Sequence, residues 1–406
     1  MSEIFDFGTM VLVVAAGFSV ALLSTKLTER FPLPGPALFL LAAALASDLF
    51  PSLAEHTSIR QVERIGVVGL IVILFDGGMH VGWRRFRASA LPIVTLGVLG
   101  TFGTAGLMAI AAHWLFDFSW ISAGILGAAL APTDPAVMFS VLGNREIAGR
   151  AGTILEGESG ANDPVGIALM IGMLELATHP NSSFWIVVRE FSIEMSVGLV
   201  IGVLGGIALR RAMQWSLPSE GLYPLRTLTA AAAIYGVAAV AHGSGFLAVF
   251  VAGLLVADER APFKSEIESF HKSLASLAEI VVFVALGITI DITDLGANHL
   301  WLDGILLALI LTFVARPLVA GPLLWPAHLH WGERAFVMWG GLKGAVPILL
   351  TTLALLSNVD DAHRLYGIVF VVVAFSVVVQ GTSLPLIAGR LGVPLETLEP
   401  GSGLDP

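Results

Sequence analysis

The sequence predicts an all-α polytopic membrane protein with about 13 transmembrane helices. Of its 406 residues, 56% are hydrophobic and only 13% are charged, whereas soluble domains carry about 25% charged residues. Thirteen apolar windows follow one another along the chain, and most are long enough for a helix of about 20 residues to cross a bilayer. Two windows are interrupted by glycine, proline and charge, which is typical of transporters with discontinuous helices.

The windows give the predicted domain organisation. We treat residues 1–390 as a single transmembrane domain and residues 391–406 as a short cytoplasmic tail. The window at 244–258 is the shortest and is expected to be shallow or tilted. The predicted spans are residues 8–25, 33–50, 62–82, 89–115, 119–142, 150–177, 184–211, 224–242, 244–258, 271–290, 299–323, 333–356 and 364–388.

Lysine and arginine residues indicate the orientation of these spans. With the N-terminus outside, 15 of the 21 Lys and Arg residues fall at cytoplasmic ends of spans and four at external ends, while Arg316 and Lys343 lie within the membrane. Cytoplasmic loops are enriched in Lys and Arg. The sequence therefore predicts a multi-pass protein of the cell membrane with an external N-terminus and a cytoplasmic C-terminus.

Composition and motifs exclude several classes of function. The net charge of −10 argues against nucleic-acid binding, and the absence of cysteine excludes disulfides and cysteine metal sites. The sequence contains no phosphate-binding loop, zinc-protease motif or hydrolase nucleophile elbow. We therefore expect a protein that is not an enzyme and that needs no cofactor.

The fifth and twelfth predicted spans are interrupted, at residues 131–135 and 340–347. One such segment in each half of the chain predicts inverted repeats whose two broken helices cross near the middle of the membrane. Each break contains one charge, Asp134 in the first and Lys343 in the second. We expect these charges to neutralise the partial charges of the half-helix ends. The Thr133 hydroxyl, also in the first break, is a predicted cation ligand.

The stretch 155–164 places five polar residues where the surrounding sequence predicts hydrocarbon. Charge inside a bilayer is costly, about 2.5–3.5 kcal/mol per residue on insertion scales, and usually functional. Ser159 and Asp163 are four residues apart and Glu156 lies seven before Asp163, so the three share one helix face. Hard cations prefer oxygen ligands. Asp163, Ser159 and Thr133 are therefore predicted to ligate Na⁺ or K⁺, and Glu156 to line the access path.

Other membrane-embedded charges complete the candidate site. Arg316 stays protonated in proteins and requires a carboxylate partner. Glu158 is the predicted partner because it lies away from the ion-facing side of its helix. Asp76 and Asn162 are assigned to the ion- and proton-binding set. Direct ligation by Asp76, Asp134 or Glu279 stays open at this stage.

The predicted function is secondary antiport. A carboxylate with oxygen neighbours binds either a proton or a monovalent cation, and this competition at one shared site, combined with alternating access, produces exchange. The main alternative is a cation- or proton-coupled symporter of a small solute, which would need a larger pocket than this compact set of oxygens suggests. A passive cation channel is a further alternative.

The motifs resemble those of bacterial NhaP-type sodium/proton exchangers. The resemblance rests on the segments 75–78, 133–135, 158–164, 315–317 and 341–347, which occur in the family's order and cover nearly the whole chain. The sequence of residues 155–164 is similar to that of the potassium/proton exchangers in the cell-volume-regulation branch of the family. Asp76 stands where the family often has Glu.

The resemblance implies a mechanism and an assembly. Asp163 would bind the ion and the proton, with Thr133, Ser159 and Asp76 lining the site, and Asn162 and Glu158 would both be tied to Arg316. The Asn162-Asp163 pair, found where electrogenic relatives carry two aspartates, implies electroneutral one-for-one exchange. The family forms homodimers and works by elevator-like movement of the domain that carries the crossed helices.

Overall fold

The computed structural model describes residues 34–50, 57–142, 145–147, 149–179, 183–297 and 299–397. These residues are almost entirely helical, as the sequence predicts. The helices are α1 Gly35–Leu49, α2 Ile59–Val81, α3 Trp83–Ala88, α4 Ala90–Phe116, α5 Trp120–Leu130, α6 Pro135–Leu142, α7 Arg150–Thr178, α8 Trp185–Ala212, α9 Leu222–Val240, α10 Gly245–Ala257, α11 Lys264–Ile288, α12 Ile292–Ala297, α13 Leu300–Leu323, α14 Trp331–Trp339, α15 Ala345–Leu356 and α16 Ala362–Leu391.

The predicted spans agree with these helices wherever the chain is described. The first span, 8–25, lies outside the described residues. Each of the other twelve coincides with one helix or with a broken pair, α5 with α6 and α14 with α15. In the described part of the chain, six helices are long and apolar enough to cross a membrane. The 29-residue α7 spans a similar length but carries the polar stretch.

Two short strands, β1 Arg145–Ile147 and β2 Leu395–Thr397, were not predicted. They pair antiparallel, with Arg145 opposite Thr397. The pairing joins the segment after α6 to the segment after α16.

The two broken helices meet at their unwound segments. Regular helix stops after Leu130 and resumes at Pro135, and it stops again after Trp339 and resumes at Ala345. The Asp134 N–H donates to the Leu342 carbonyl oxygen at 2.8 Å, so one break hydrogen-bonds the other. Pro135 suits the first position of a helix, where its missing N–H costs nothing. The prediction of two broken, crossing helices is confirmed.

Three long helices contain π-helical turns that the sequence did not predict. These turns are Thr95–Gly100 in α4, Leu311–Ala315 in α13 and Ser376–Gly381 in α16. Such turns occur frequently at functional sites. Each of the three is close to the polar stretch or the breaks: the first packs on α7, the second immediately precedes Arg316, and the third begins at a residue that hydrogen-bonds Lys343.

The helices pack as two bundles. The first bundle comprises α1, α2 and α8–α11, and the second comprises α4–α7 and α13–α16. The bundles meet where α8 and α10 contact α7, where α2 contacts α7 and α15, and where α11 contacts α15. The polar stretch and both breaks belong to the second bundle, so the candidate site borders this interface.

Candidate functional site

The polar stretch on α7 is buried in the protein. Asp163 is 4% exposed, Ser159 3% and Glu158 1%. Helices α2, α4, α5, α8 and α10 all pack around α7, which explains how a helix with this many polar residues sits in the interior. Polar groups in such a place need partners.

Thr133, Ser159 and Asn162 form one hydrogen-bonded cluster. The Thr133 hydroxyl lies 3.0 Å from the Ser159 hydroxyl. The Asn162 Nδ2 donates to Thr133 Oγ1 at 2.7 Å, and the Thr133 N–H donates to Asn162 Oδ1 at 3.2 Å. The cluster joins the first break to the face of α7 that carries Asp163.

The tie between Asn162 and Arg316 that the resemblance implies is wrong. Both ends of the Asn162 amide bond to Thr133, whereas the described partners of Arg316 are Glu158 and the Val337 carbonyl. Asn162 lies one residue from Asp163, and unwinding of the first break brings a free backbone N–H to its short side chain. The amide therefore caps the break instead of reaching the arginine.

Glu158 and Arg316 form a buried bidentate ion pair. Arg316 Nη2 donates to Glu158 Oε2 at 2.8 Å, and Nη1 bonds Oε1. The fork of the guanidinium matches both carboxylate oxygens. The pair joins α7 to α13 and packs beneath the second break, where a Cβ added to Gly341 would come within 2.5 Å of Arg316 Nε.

The charges in the breaks lie across from each other. Lys343 Nζ donates to the carbonyls of Ala131 and Pro132 at 2.8 and 2.7 Å, at the C-terminal end of α5. Asp134 Oδ2 accepts from the Ala345 N–H at 3.3 Å, at the N-terminal end of α15. Helix C-termini carry partial negative charge and N-termini partial positive charge. Each break thus supplies the charge that the other half-helix end requires.

Gly344 permits this crossing. A Cβ added there would lie 1.7 Å from Asp134 Oδ2. Two non-bonded atoms cannot come so close, so no residue with a side chain fits at this position. The absence of a side chain therefore lets the carboxylate of one break reach the backbone of the other.

Asp163 faces a cavity of about 50 Å³ at the interface of the two bundles. Its Oδ1 atom is buried and has no hydrogen-bond partner in the part of the chain that the structure describes. Much of the wall is apolar and is lined by Leu70, Leu74, Phe250, Val282, Phe283 and Leu349. A buried carboxylate oxygen left without a donor is available to a proton or a cation.

Glu156 lines the same cavity instead of lying only along its approach. Its Oε2 is 3.6 Å from Arg85 Nη2, and its Oε1 is 3.8 Å from His80 Nε2. Both basic residues are about half exposed, at the end of α2 and on α3. Glu156 therefore connects the cavity to the protein surface.

Asp76 does not line the cavity. It is half-buried on α2, and Gly77, the next residue and about 100° further round the helix, lines the cavity in its place. The charges that act on Asp76 are those of His80, Lys272 and Glu268. The assignment of Asp76 to the ion- and proton-binding set stays a prediction.

The sequence did not identify Ser376 as a residue of the site, and it left the role of Glu279 open. The Ser376 hydroxyl accepts from the Lys343 N–H at 2.8 Å, which fixes the second break against α16. Glu279 on α11 lines the cavity with Asp163. A carboxylate embedded in an apolar helix is the signal that singles out Glu279, whereas a lone serine in an apolar run gives none.

Comparison with known proteins agrees with this architecture. The family model described as "Sodium/hydrogen exchanger, transmembrane" matches residues 17–389. The chain belongs to this family. Family members are transporters and not enzymes, so this exchanger-family chain is a multi-pass membrane transporter, and the predicted resemblance is confirmed.

Individual relatives extend the comparison. The chain is 33% identical over 394 residues to the K⁺/H⁺ antiporter NhaP of Alkalimonas amylolytica, covering 95% of this chain and 68% of that protein. It is 29% identical over 375 residues to the K⁺/H⁺ antiporter NhaP2 of Shewanella sp. (strain ANA-3), covering 91% of this chain and 65% of that protein. The chain therefore spans about two thirds of the length of these relatives.

A solved structure shares the fold. The sodium proton antiporter MjNhaP1 from Methanocaldococcus jannaschii, at pH 8, superposes with a TM-score of 0.79 at 21% identity, covering 97% of this chain and 99% of that one.

Proposed function

We propose that this chain exchanges a monovalent cation, Na⁺ or K⁺, for H⁺ at a single carboxylate site centred on Asp163. The observation that carries the proposal is the buried, unpartnered Asp163 Oδ1 facing a cavity at the bundle interface. An oxygen in this position binds either cargo but not both together. Two relatives that are K⁺/H⁺ antiporters support this activity and favour K⁺.

Ser159 and Thr133 are proposed to complete the cation's coordination. Their hydroxyls lie 3.0 Å apart, one on the helix of Asp163 and the other in the first break. Hydroxyl and backbone oxygens suit a hard cation. Asn162 is proposed to contribute to the site indirectly. Its side-chain amide bonds both the backbone N–H and the hydroxyl of Thr133 and so holds this ligand in position.

One-for-one, electroneutral exchange is expected if Asp163 is the one charged group of the site whose cargo changes during the cycle. Lys343 bonds to two backbone carbonyls, and Glu158 is paired with Arg316. These charges are engaged in structure, so the cargo alternates on Asp163 alone. A bound cation and a bound proton then leave the same net charge on the moving bundle.

Alternating access is proposed to arise from movement of the second bundle against the first, in a homodimer. The site borders the interface of the two bundles, so a shift of one against the other would change which side of the membrane it faces.

Transport in proteoliposomes tests the proposal. Wild-type protein with a pH-sensitive dye inside the vesicles should move protons when Na⁺ or K⁺ is added, and an imposed membrane potential should leave the rate unchanged. Asp163→Asn should abolish this flux, since an amide cannot exchange a proton for a cation. Asp117→Asn is the matched control, because Asp117 is exposed and its left-handed backbone (φ 57°) suits asparagine equally well.

Three outcomes would contradict the proposal: full exchange by Asp163→Asn, proton flux that requires an organic solute, or large unitary currents in a planar bilayer. The second would favour the symporter. A cavity of about 50 Å³ has room for a few waters, at about 10–15 Å³ of such space for each. Pockets for organic ligands are typically about 300–1,000 Å³, so this volume argues against an organic substrate.

A further inference from the structure

The cavity beside Asp163 is bounded by both bundles. The second bundle contributes Glu156 and Asp163 from α7 and Asp134 from the first break. The first bundle contributes Glu279 from α11, together with apolar residues of α2 and α10. An ion that reaches Asp163 therefore passes a carboxylate on each side of the interface.

The charged residues of the cavity wall are all acidic. Four carboxylates line it, and none of the described lining residues is Lys, Arg or His. Like charges around such a small, partly apolar space repel one another more strongly than in water. The space therefore favours bound cations or protons, and at least one carboxylate besides Asp163 is expected to share them.

Hydrogen bonds and ion pairs together separate the four carboxylates into two pairs. Asp134 accepts from the Ala345 N–H, and Glu156 forms ion pairs with Arg85 and His80. By contrast, Asp163 Oδ1 and Glu279 Oε1 are both buried without a hydrogen-bond partner among the described residues. Buried polar atoms are rarely left unpaired. Asp163 and Glu279, one on each bundle, are therefore the cavity carboxylates that have such an oxygen and no ion pair among the described residues.

We propose that Glu279 is a second binding residue of the exchange site, a carboxylate on α11 that takes up the cation or the proton across the cavity from Asp163. The proposal rests on the proposed antiport at Asp163. Glu279 stays with the first bundle while Asp163 moves with the second, so it acts on the ion as it enters or leaves. The cargo carried per cycle is still set by Asp163.

This assignment predicts a specific kinetic effect. Glu279→Gln keeps the size of the side chain and removes its charge. The apparent KM for the cation should rise about tenfold, because a charge-assisted ligand is lost. The pH dependence of the rate should also shift. Glu279→Asp, which keeps the carboxylate one methylene further from the cavity, should give an intermediate KM.

The matched control is Glu194→Gln. Glu194 is a half-buried carboxylate on α8 of the same bundle and does not line the cavity. This variant should keep the wild-type KM and pH profile. A purely structural role for Glu279 would lower the amount of active protein without changing either quantity.

A labelling experiment on the wild-type protein removes any dependence on folding of the variants. Dicyclohexylcarbodiimide is apolar and modifies protonated carboxyl groups inside membranes. Mass spectrometry should detect modification of Glu279 that falls as Na⁺ or K⁺ is added. Modification of Glu279 that is the same with and without cation would overturn the proposal.

The outcomes distinguish the two proposals. If the wild-type protein shows no exchange, or Asp163→Asn retains it, the proposed function fails. If wild-type exchange depends on Asp163 but Glu279→Gln keeps the wild-type KM and pH profile, only the assignment of Glu279 fails.

Discussion

At the residue scale, Glu158 and Asp163 lie five residues apart on α7 and differ in their surroundings. Glu158 has both oxygens bonded to Arg316, whereas Asp163 has an oxygen without a partner at the cavity. The first arrangement binds two helices together, and the second leaves a site for cargo. We expect the two residues to respond in opposite ways to mutation.

Removal of Glu158 should destabilise the protein. Glu158→Ala leaves Arg316, which is 6% exposed, as an unpaired buried charge, a change that typically costs about 3–5 kcal/mol. Thermal unfolding of the purified protein in detergent measures the loss, and transport should be lost with it. Asp163→Asn should unfold near the wild-type temperature.

Asp303→Ala is the control for this prediction. Asp303 also pairs with an arginine, Arg364 at 3.0 Å, but both side chains are about a quarter to a third exposed. Exposed pairs contribute about 0–1 kcal/mol. Equal stability of Glu158→Ala and Asp303→Ala would show that the buried pair does not hold α7 in place.

Residue types and helical spacing were enough to select Asp163, Ser159, Thr133, Glu158 and Arg316 as the residues of interest. They were not enough to identify the partner of Asn162, and the assignment of Asp76 to the ion- and proton-binding set stays a prediction. Spacing along one helix specifies a face, but which neighbour that face meets depends on how the helices pack. Asn162 meets the unwound first break, and Gly77 occupies the cavity wall next to Asp76.

At the scale of elements, the two broken helices act as one structural unit. Lys343 bonds to the end of α5 and Asp134 to the start of α15. The sequence predicted a charge in each break to neutralise half-helix ends. It did not specify that each charge serves the opposite helix, because this depends on the crossing angle and distance.

Gly344→Ala should disrupt this crossing. The new Cβ would lie 1.7 Å from Asp134 Oδ2, so the two breaks must separate and the position of Thr133 beside Ser159 must change. Transport in proteoliposomes should fall to background. Gly389→Ala is the matched control, since no atom lies within 4 Å of its added Cβ. Wild-type rates for Gly344→Ala would show that the close crossing is not required.

The π-helical turns are the feature of the helices that the sequence did not predict. They carry no proline and no charge that distinguishes them from ordinary apolar helix. Each turn packs against elements distant in the sequence. In the first turn, for example, Gly97 packs against Ala161 of α7. Local propensity alone therefore does not locate them.

At the scale of the whole molecule, the apolar windows predicted the helices well because the membrane requires long apolar helices with internally bonded backbones. Twelve of the thirteen windows can be compared, and all twelve coincide with helices. The division into two bundles could not be predicted. Hydropathy indicates which segments avoid water, but it does not indicate which helices contact each other. The cavity forms only where the bundles meet.

The predicted orientation of the whole chain can be tested by cysteine labelling. The chain contains no cysteine, so a single introduced thiol is the only target for a maleimide. Ser183 and Ser219 are both exposed in loops and are predicted to lie outside and inside the cell, respectively. A membrane-impermeant maleimide should label Ser183→Cys in intact cells and Ser219→Cys only after lysis. The reverse pattern would invert the topology.

The central claim is that a proton and a cation compete for Asp163. Proton release from the purified protein on addition of K⁺ or Na⁺, followed with a pH indicator in weakly buffered detergent solution, tests this most directly. The wild-type protein should release about one proton per cation bound, because a ligand must lose its proton to bind the ion, and Asp163→Asn should release none. Undiminished proton release by Asp163→Asn would contradict the account.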